Sequence, residues 1–513
     1  MGVIIRQSIK GTFFNYLGTA IGAFTTFFVI TKVLTTEEIG LTRVLIDAAT
    51  LLAGLAQLGT NSSIIRYYPF FKNPNTRDYG FFFWTITIPL LGFIIYALFF
   101  WIFRDPITSL FIEKSELFVN YYNLIFPLSF FILYLTIFET NANVLMRIAI
   151  PKFTREVLIR LLTLLTYILY TKEIVSFNGF IHIFCGVYGV AAIVNIIYLF
   201  SLKKISLRPN LAPITKAIRK DYYIYTAFLI TAALSGTITP FINSLFISMK
   251  MGLNYTGIFT IATYIAALVE IPYRSLVPIT RPVISQAIKE NNYTQCNSIT
   301  QKVALHQLLA GSFIFFVIWI NIDLVFTILP NGEQFEIAKY VFLVLGFTRL
   351  VFSTMCVTSS VLSYSKFYYY SLIFTIVLTF TAIFLNVQFI PKWGMIGAAI
   401  ASLIAYILQF SLQIALIYAK IKVSPFCWAQ LKIVTIMIGL IIINLLWNNL
   451  LSPIITLIPL SELIVQCIDA VLKTSTFTLI GAIAIFKWNI SEEVNNLISK
   501  YIPYLSKKQK VNS

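Results

Sequence analysis

The chain has 513 residues, of which 58% are hydrophobic and only 11% charged, with a mean hydropathy of +0.84. A soluble domain of ordinary usage is about 25% charged, so this composition excludes a soluble enzyme or binding module and describes a polytopic membrane protein. The formal net charge of +18 follows from cytoplasmic loops that collect Lys and Arg. No nucleic-acid partner is expected, because no basic stretch is attached to a foldable soluble domain.

Windows of about 20 mostly apolar residues predict helices, in chain order, near 11–31, 39–60, 80–103, 119–141, 156–171 and 179–200. Arg6 and Lys10 precede the first run as in a secretion signal. That run is span-length and leads straight into a second, so it reads as an uncleaved helix. A polar, basic break follows, "SLKKISLRPNLAPITKAIRKDY". Further spans fall near 224–247, 255–280, 303–328, 338–362, 367–388, 393–418, 432–450 and 463–486, about fourteen in all. An even number puts both termini on one side, and charge decides which. With the N-terminus inside, the outer loops hold only Lys32, Arg104, Lys114, Lys172, Lys250, Lys339 and Lys392, while most of the 38 basic residues lie inside.

The two halves resemble each other. "LTTEEIGLTRVL" matches "MGLNYTGIFTIA", placing Gly40 on Gly257. "NVLMRIAIPKF" matches "SVLSYSKF", bringing Lys152 and Phe153 onto Lys366 and Phe367. "NGFIHIFCGVYGVAAI" matches "WGMIGAAIASLIAYI", with Gly179 near Gly394. The offsets are 217, 214 and 215 residues. Six helices per repeat keep the orientation, so the repeats are parallel about an axis along the membrane normal. The expected fold is an all-α polytopic membrane protein of about 14 transmembrane helices. It divides into an N-lobe at 1–220 with helices 1–6, a C-lobe at 221–425 with helices 7–12, helices 13 and 14 at 426–487, and a basic cytoplasmic tail at 488–513.

No soluble domain interrupts these spans, so the chemistry must lie among the few charges inside them. Arg43 and Asp47, four residues apart on the second span, share one helix face. They read either as a mutually neutralising pair or as a pair facing a wet cavity. The spacing recurs at Glu270 and Arg274 in "YIAALVEIPYRSLVPITRP", where Pro272 and Pro278 interrupt the eighth span. The backbone groups a proline frees must be satisfied by water or a neighbour. Arg349, in "LVLGFTRLVFST", lies near mid-membrane with no local acid and needs a partner. Arg66, Arg160 and Arg281 lie near the inner boundary, Glu139 and Asp323 near helix ends, and His182 reads as a satisfied buried histidine. Asp469 and Lys473 form another four-spaced pair, outside the duplicated core, and read as structural. Cys185, Cys296, Cys356, Cys427 and Cys467 are scattered without metal spacing, and no cofactor is expected.

The order "KVLTTEEIGLTRVL", "QLGTNSSIIRYYP", "IPKWGMIGAAIAS" resembles the bacterial O-antigen and polysaccharide flippases. These belong to the multidrug/oligosaccharidyl-lipid/polysaccharide (MOP) exporter superfamily. The resemblance implies a flippase rather than an enzyme, one that moves a polyprenyl-diphosphate-linked oligosaccharide from the cytoplasmic to the periplasmic leaflet of the inner membrane. It implies two lobes in alternating access and a central cavity lined by the first, second, seventh and eighth spans. Arg43, Asp47, Glu270 and Arg274, with Arg349, then become cavity candidates. Coupling to H+ or Na+ and contacts with other polysaccharide assembly proteins stay open. A peptidoglycan-precursor flippase and a drug/cation antiporter are alternatives within the superfamily; the antiporter would want an acid in the N-lobe, where Asp47 is the deep candidate. A membrane glycosyltransferase or polymerase is the rival of a different class, and short outer loops count against it.

Overall fold

The computed structural model describes residues 2–71, 80–208, 222, 238–455, 459 and 461–495. Most of the predicted seventh span, most of the basic break after residue 208 and most of the C-terminal tail lie outside them.

Among the described residues every regular element is helical. Among the helices are α1 (Gly2–Phe24), α2 (Thr36–Ala56), α3 (Phe81–Ile102), α4 (Ile125–Val144), α5 (Ile159–Thr171), α6 (Phe177–Ser201), α7 (Ile242–Lys250), α8 (Leu253–Ala267), α9 (Ile271–Lys289), α10 (Tyr293–Ile320), α11 (Ala338–Met355), α12 (Val357–Tyr364), α13 (Tyr369–Ile421), α14 (Trp428–Leu450) and α15 (Glu462–Lys487). Eleven described helices are long and apolar enough to cross a membrane. One of them, α13, is two helices in sequence: at Gly394 the backbone turns to φ 58°, ψ −137°, a region open essentially to glycine alone. The predicted boundary between the eleventh and twelfth spans falls there.

Local chemistry sets the other boundaries. Thr35 opens α2 with a reciprocal cap: its Oγ1 accepts from Glu38 N–H at 3.2 Å, and Glu38 Oε2 accepts from Thr35 N–H at 2.9 Å. Such a cap contributes about 1 kcal/mol. Between α8 and α9 a single 3-10 turn, Leu268–Glu270, breaks the helix. The chain restarts with Pro272 in the first turn, where its missing N–H costs nothing.

By its contacts the chain forms two compact units, Met1–Ile261 with Thr375–Ala401, and Ala262–Phe374 with Ser402–Ser513. In the first, α2 is central. Leu41, Leu45, Ala49, Leu52 and Ala56 recur at helical spacing and are fully buried. Over an apolar 18-residue stretch α3 is only 17% buried, against 61% on α2. Its Leu91, Ile94, Ile95, Leu98 and Trp101 are exposed, an apolar strip that water would not tolerate and lipid does.

The repeat acquires a physical meaning in this unit. A Cβ on Gly40 would collide with the carbonyl oxygen of Leu253, and a Cβ on Gly257 with that of Thr36. Residues 36 and 253 are 217 apart, as are 40 and 257, so the two contacts are copies of one another exchanged between repeats. Thr36 Oγ1 also donates to Asn254 Oδ1 at 3.0 Å. The aligned glycines let α2 and α8 cross backbone to backbone, as small residues do within membranes.

The second unit packs α9, α10, α12 and the end of α13 around Ile284, Ala304, Val361, Leu362 and Ile417. A further layer sets α14 and α15 on α10 through Phe316, Ile433, Leu440 and Phe477. Asp469 and Lys473 belong to that layer. Asp469 accepts from Trp447 Nε1 at 2.8 Å and Ser452 Oγ at 3.1 Å. Lys473 Nζ lies 3.1 Å from Asp469 and donates to Asn448 at 3.0 Å. The pair ties α14 to α15.

Candidate functional site

Three of the candidate residues meet in the second unit. Glu270 sits on the 3-10 turn between α8 and α9, with its side chain 9% exposed. Arg349 Nη1, from α11, donates to Glu270 Oε1 at 2.8 Å. Arg274 Nη2, one turn along α9, lies 3.7 Å from Oε2. The arginine that lacks an acid on its own helix thus finds one 79 residues earlier in the chain. One carboxylate faces two guanidinium groups, so the ionised cluster carries one excess positive charge. Arg349 is 29% exposed and Arg274 62%. The open planar fork, suited to bidentate recognition of phosphate or carboxylate oxygens, is that of Arg274.

In the first unit Arg43 Nε lies 2.8 Å from Asp47 Oδ2, and the Asp47 side chain is 1% exposed. Ser244 of α7 donates a short hydrogen bond to the same oxygen. Asp47 therefore joins α2 to α7 as well as pairing with Arg43. Nothing in the local pattern signals Ser244, because the contact spans 197 residues.

Glu139 lies near a helix end, yet it does not face solvent. It is buried on α4, 2.6 Å from Arg155 Nε and 3.3 Å from Lys152 Nζ, and Arg155 Nη2 also donates to Thr136 Oγ1 at 3.0 Å. Asp47 is thus not the only buried acid of the N-terminal half. The available signal was the cationic "IPKFTR" one helix later. Asp47, Glu139 and Glu270 are the buried acids among the described residues, and each is paired with a cation. His182 differs from expectation too: it is exposed, with Nδ1 2.7 Å from the Asn178 carbonyl. Asp323 pairs with Lys339 at 2.6 Å.

No protein-family model and no curated protein matches the chain. Solved structures do. The chain superposes on the lipid II flippase MurJ in an inward closed conformation with a TM-score of 0.67 and 14% identity, over 92% of this chain and 98% of that one. The chain has the fold of a MOP transporter. An inward-facing multidrug resistance MATE-family transporter of the MOP superfamily gives a TM-score of 0.60 at 19% identity, over 78% of this chain and 95% of that one. A MOP superfamily transporter from Pyrococcus furiosus, described by the reversed polarity of its binding pocket, gives 0.53 at 18% identity, over 81% and 96%. At these identities the likeness is one of MOP fold.

Proposed function

We propose that the protein flips a polyprenyl-diphosphate-linked oligosaccharide from the cytoplasmic to the periplasmic leaflet of a bacterial inner membrane, by alternating access of lobes at 1–220 and 221–425. The observation that carries this reading is the Glu270, Arg274 and Arg349 cluster, with its excess positive charge and exposed guanidinium. A diphosphate and its sugars cannot cross about 30 Å of hydrocarbon unaided. A charged fork within the spans offers them charge-assisted hydrogen bonds. Arg43 with Asp47 is a further anion contact in the first unit. A drug cation, the cargo of the antiporter alternative, would meet net positive charge here. A lipid-linked peptidoglycan precursor is the second reading, favoured by the likeness to the lipid II flippase MurJ.

The test is reconstitution in vesicles with defined lipid-linked oligosaccharides, scoring transfer between leaflets. A charge-assisted hydrogen bond is worth about 1.5–3 kcal/mol, so Arg274→Ala is expected to slow transfer about tenfold or more. Arg274→Lys recovers only part, since an ammonium keeps the charge and loses the planar fork. Full transfer by both Arg274→Ala and Arg349→Ala would place the diphosphate elsewhere. Parallel assays with a peptidoglycan precursor separate the two readings.

Orientation has its own test. In a cysteine-free background, single cysteines at Asn210 and Gln509, both outside the described residues, are expected to stay shielded from an impermeant external reagent in intact cells. Gly332 is a poor outer reporter, because a side chain there collides with the Phe326 carbonyl. Its exposed neighbour Glu333 is expected to label when replaced by Cys. Labelling at position 210 reverses the orientation.

A further inference from the structure

We infer that the saccharide is held beside the arginine cluster, its sugar rings stacked on the aromatic side chains of Phe352 and Tyr406. This inference rests on the flippase reading above.

In the second unit a group of aromatic side chains packs around Val277, Cys356 and Phe410. Tyr273 follows Glu270 by three residues on α9, and its ring lies 5.5 Å from that of Phe352 on α11, at 71°. Phe352 lies 5.5 Å from Tyr406 on the second half of α13, at 68°. Buried Phe410 stacks behind Tyr406, with centroids 6.2 Å apart and planes 18° apart. Tyr273, Phe352 and Tyr406 are all half-buried, and none of these three stacks face to face on another of them. On α13, Ser402, Tyr406, Gln409 and Gln413 recur at i, i+4, i+7 and i+11, one polar stripe along the helix. Its lower rungs are closed: Gln413 is 1% exposed and accepts from Ser359 at 2.9 Å and Thr358 at 3.3 Å. Gln409 is buried too, whereas Ser402 and Tyr406, at the other end of the stripe, are half-buried.

Each alternative cargo leaves some of this surface unused. A bare diphosphate needs the guanidinium groups and gains nothing from three aromatic side chains. An organic cation would favour the rings and Glu270, but Arg274 and Arg349 outnumber that acid. A pyranose uses both parts. Its C–H bonds, slightly positive, rest on the negative faces of aromatic rings, while its hydroxyls reach a carboxylate or a guanidinium at the edge.

The experiment compares transport of two lipids by each preparation: a polyprenyl-diphosphate oligosaccharide and the same polyprenyl diphosphate without sugar. The readout is the ratio of the two rates, which does not depend on how much protein folds. Phe352→Leu and Tyr406→Leu are each expected to lower the ratio of sugar-bearing to sugar-free transport by about tenfold. Phe352→Tyr, which keeps the ring, is expected to recover most of that loss. A ratio unchanged in both Leu variants, with the wild-type protein moving both lipids, overturns the stacking inference and leaves the flippase reading standing. A wild-type protein that moves neither lipid overturns the flippase reading, and this inference with it.

Discussion

Glu270→Gln is expected to be the most damaging single change in the candidate site, more so than loss of either arginine it contacts. The substitution keeps shape and removes charge, so Arg349 and Arg274 are left facing each other without a counter-ion. Breaking a buried pair from one side costs roughly 3–5 kcal/mol. Because Arg349 keeps 29% of its side chain exposed, water reduces the penalty toward about 3 kcal/mol. Purified Glu270→Gln should therefore unfold at clearly lower temperature than wild type. The double variant Glu270→Gln with Arg349→Gln should regain most of that stability, since contacting residues couple strongly. Transport separates structure from recognition: the double variant restores folding without restoring the Glu270–Arg349 pair, and is expected to stay slow. Near-normal transport by the double variant would reduce the pair to a structural tie and leave Arg274 as the anion contact of this unit.

At the crossing of α2 and α8, Gly257→Ala is expected to destabilise by about 3 kcal/mol, the upper end of overpacking costs. The obstacle there is the Thr36 carbonyl, a backbone atom that cannot rotate away. Gly40→Ala should cost a similar amount against Leu253, because the two contacts are copies. Gly439→Ala is the control: a Cβ there meets nothing within 4 Å, so it should be neutral or stabilise by up to about 1 kcal/mol through helix propensity. Thermal unfolding of the three purified variants decides the matter. Equal behaviour at Gly257 and Gly439 would mean that the crossing is looser than the structure indicates.

The amino-acid sequence by itself determined the all-helical membrane fold, because apolar windows of span length have no other stable placement. It also placed the break near Gly394 and the aligned glycines 40 and 257, since a proline, a glycine or a short repeat acts through local sterics that are written residue by residue. The same locality made the four-spaced pairs Arg43 with Asp47 and Glu270 with Arg274 visible, one helical turn apart. Tertiary structure alone decided the partners. Arg349 meets Glu270 across 79 residues, Ser244 reaches Asp47 across 197, and Glu139 is paired with cations from the helical segment that follows. Helical periodicity fixes which face a side chain occupies, but not which helix packs against that face. A buried charge announces that it needs a partner, and only the packing of distant segments supplies it.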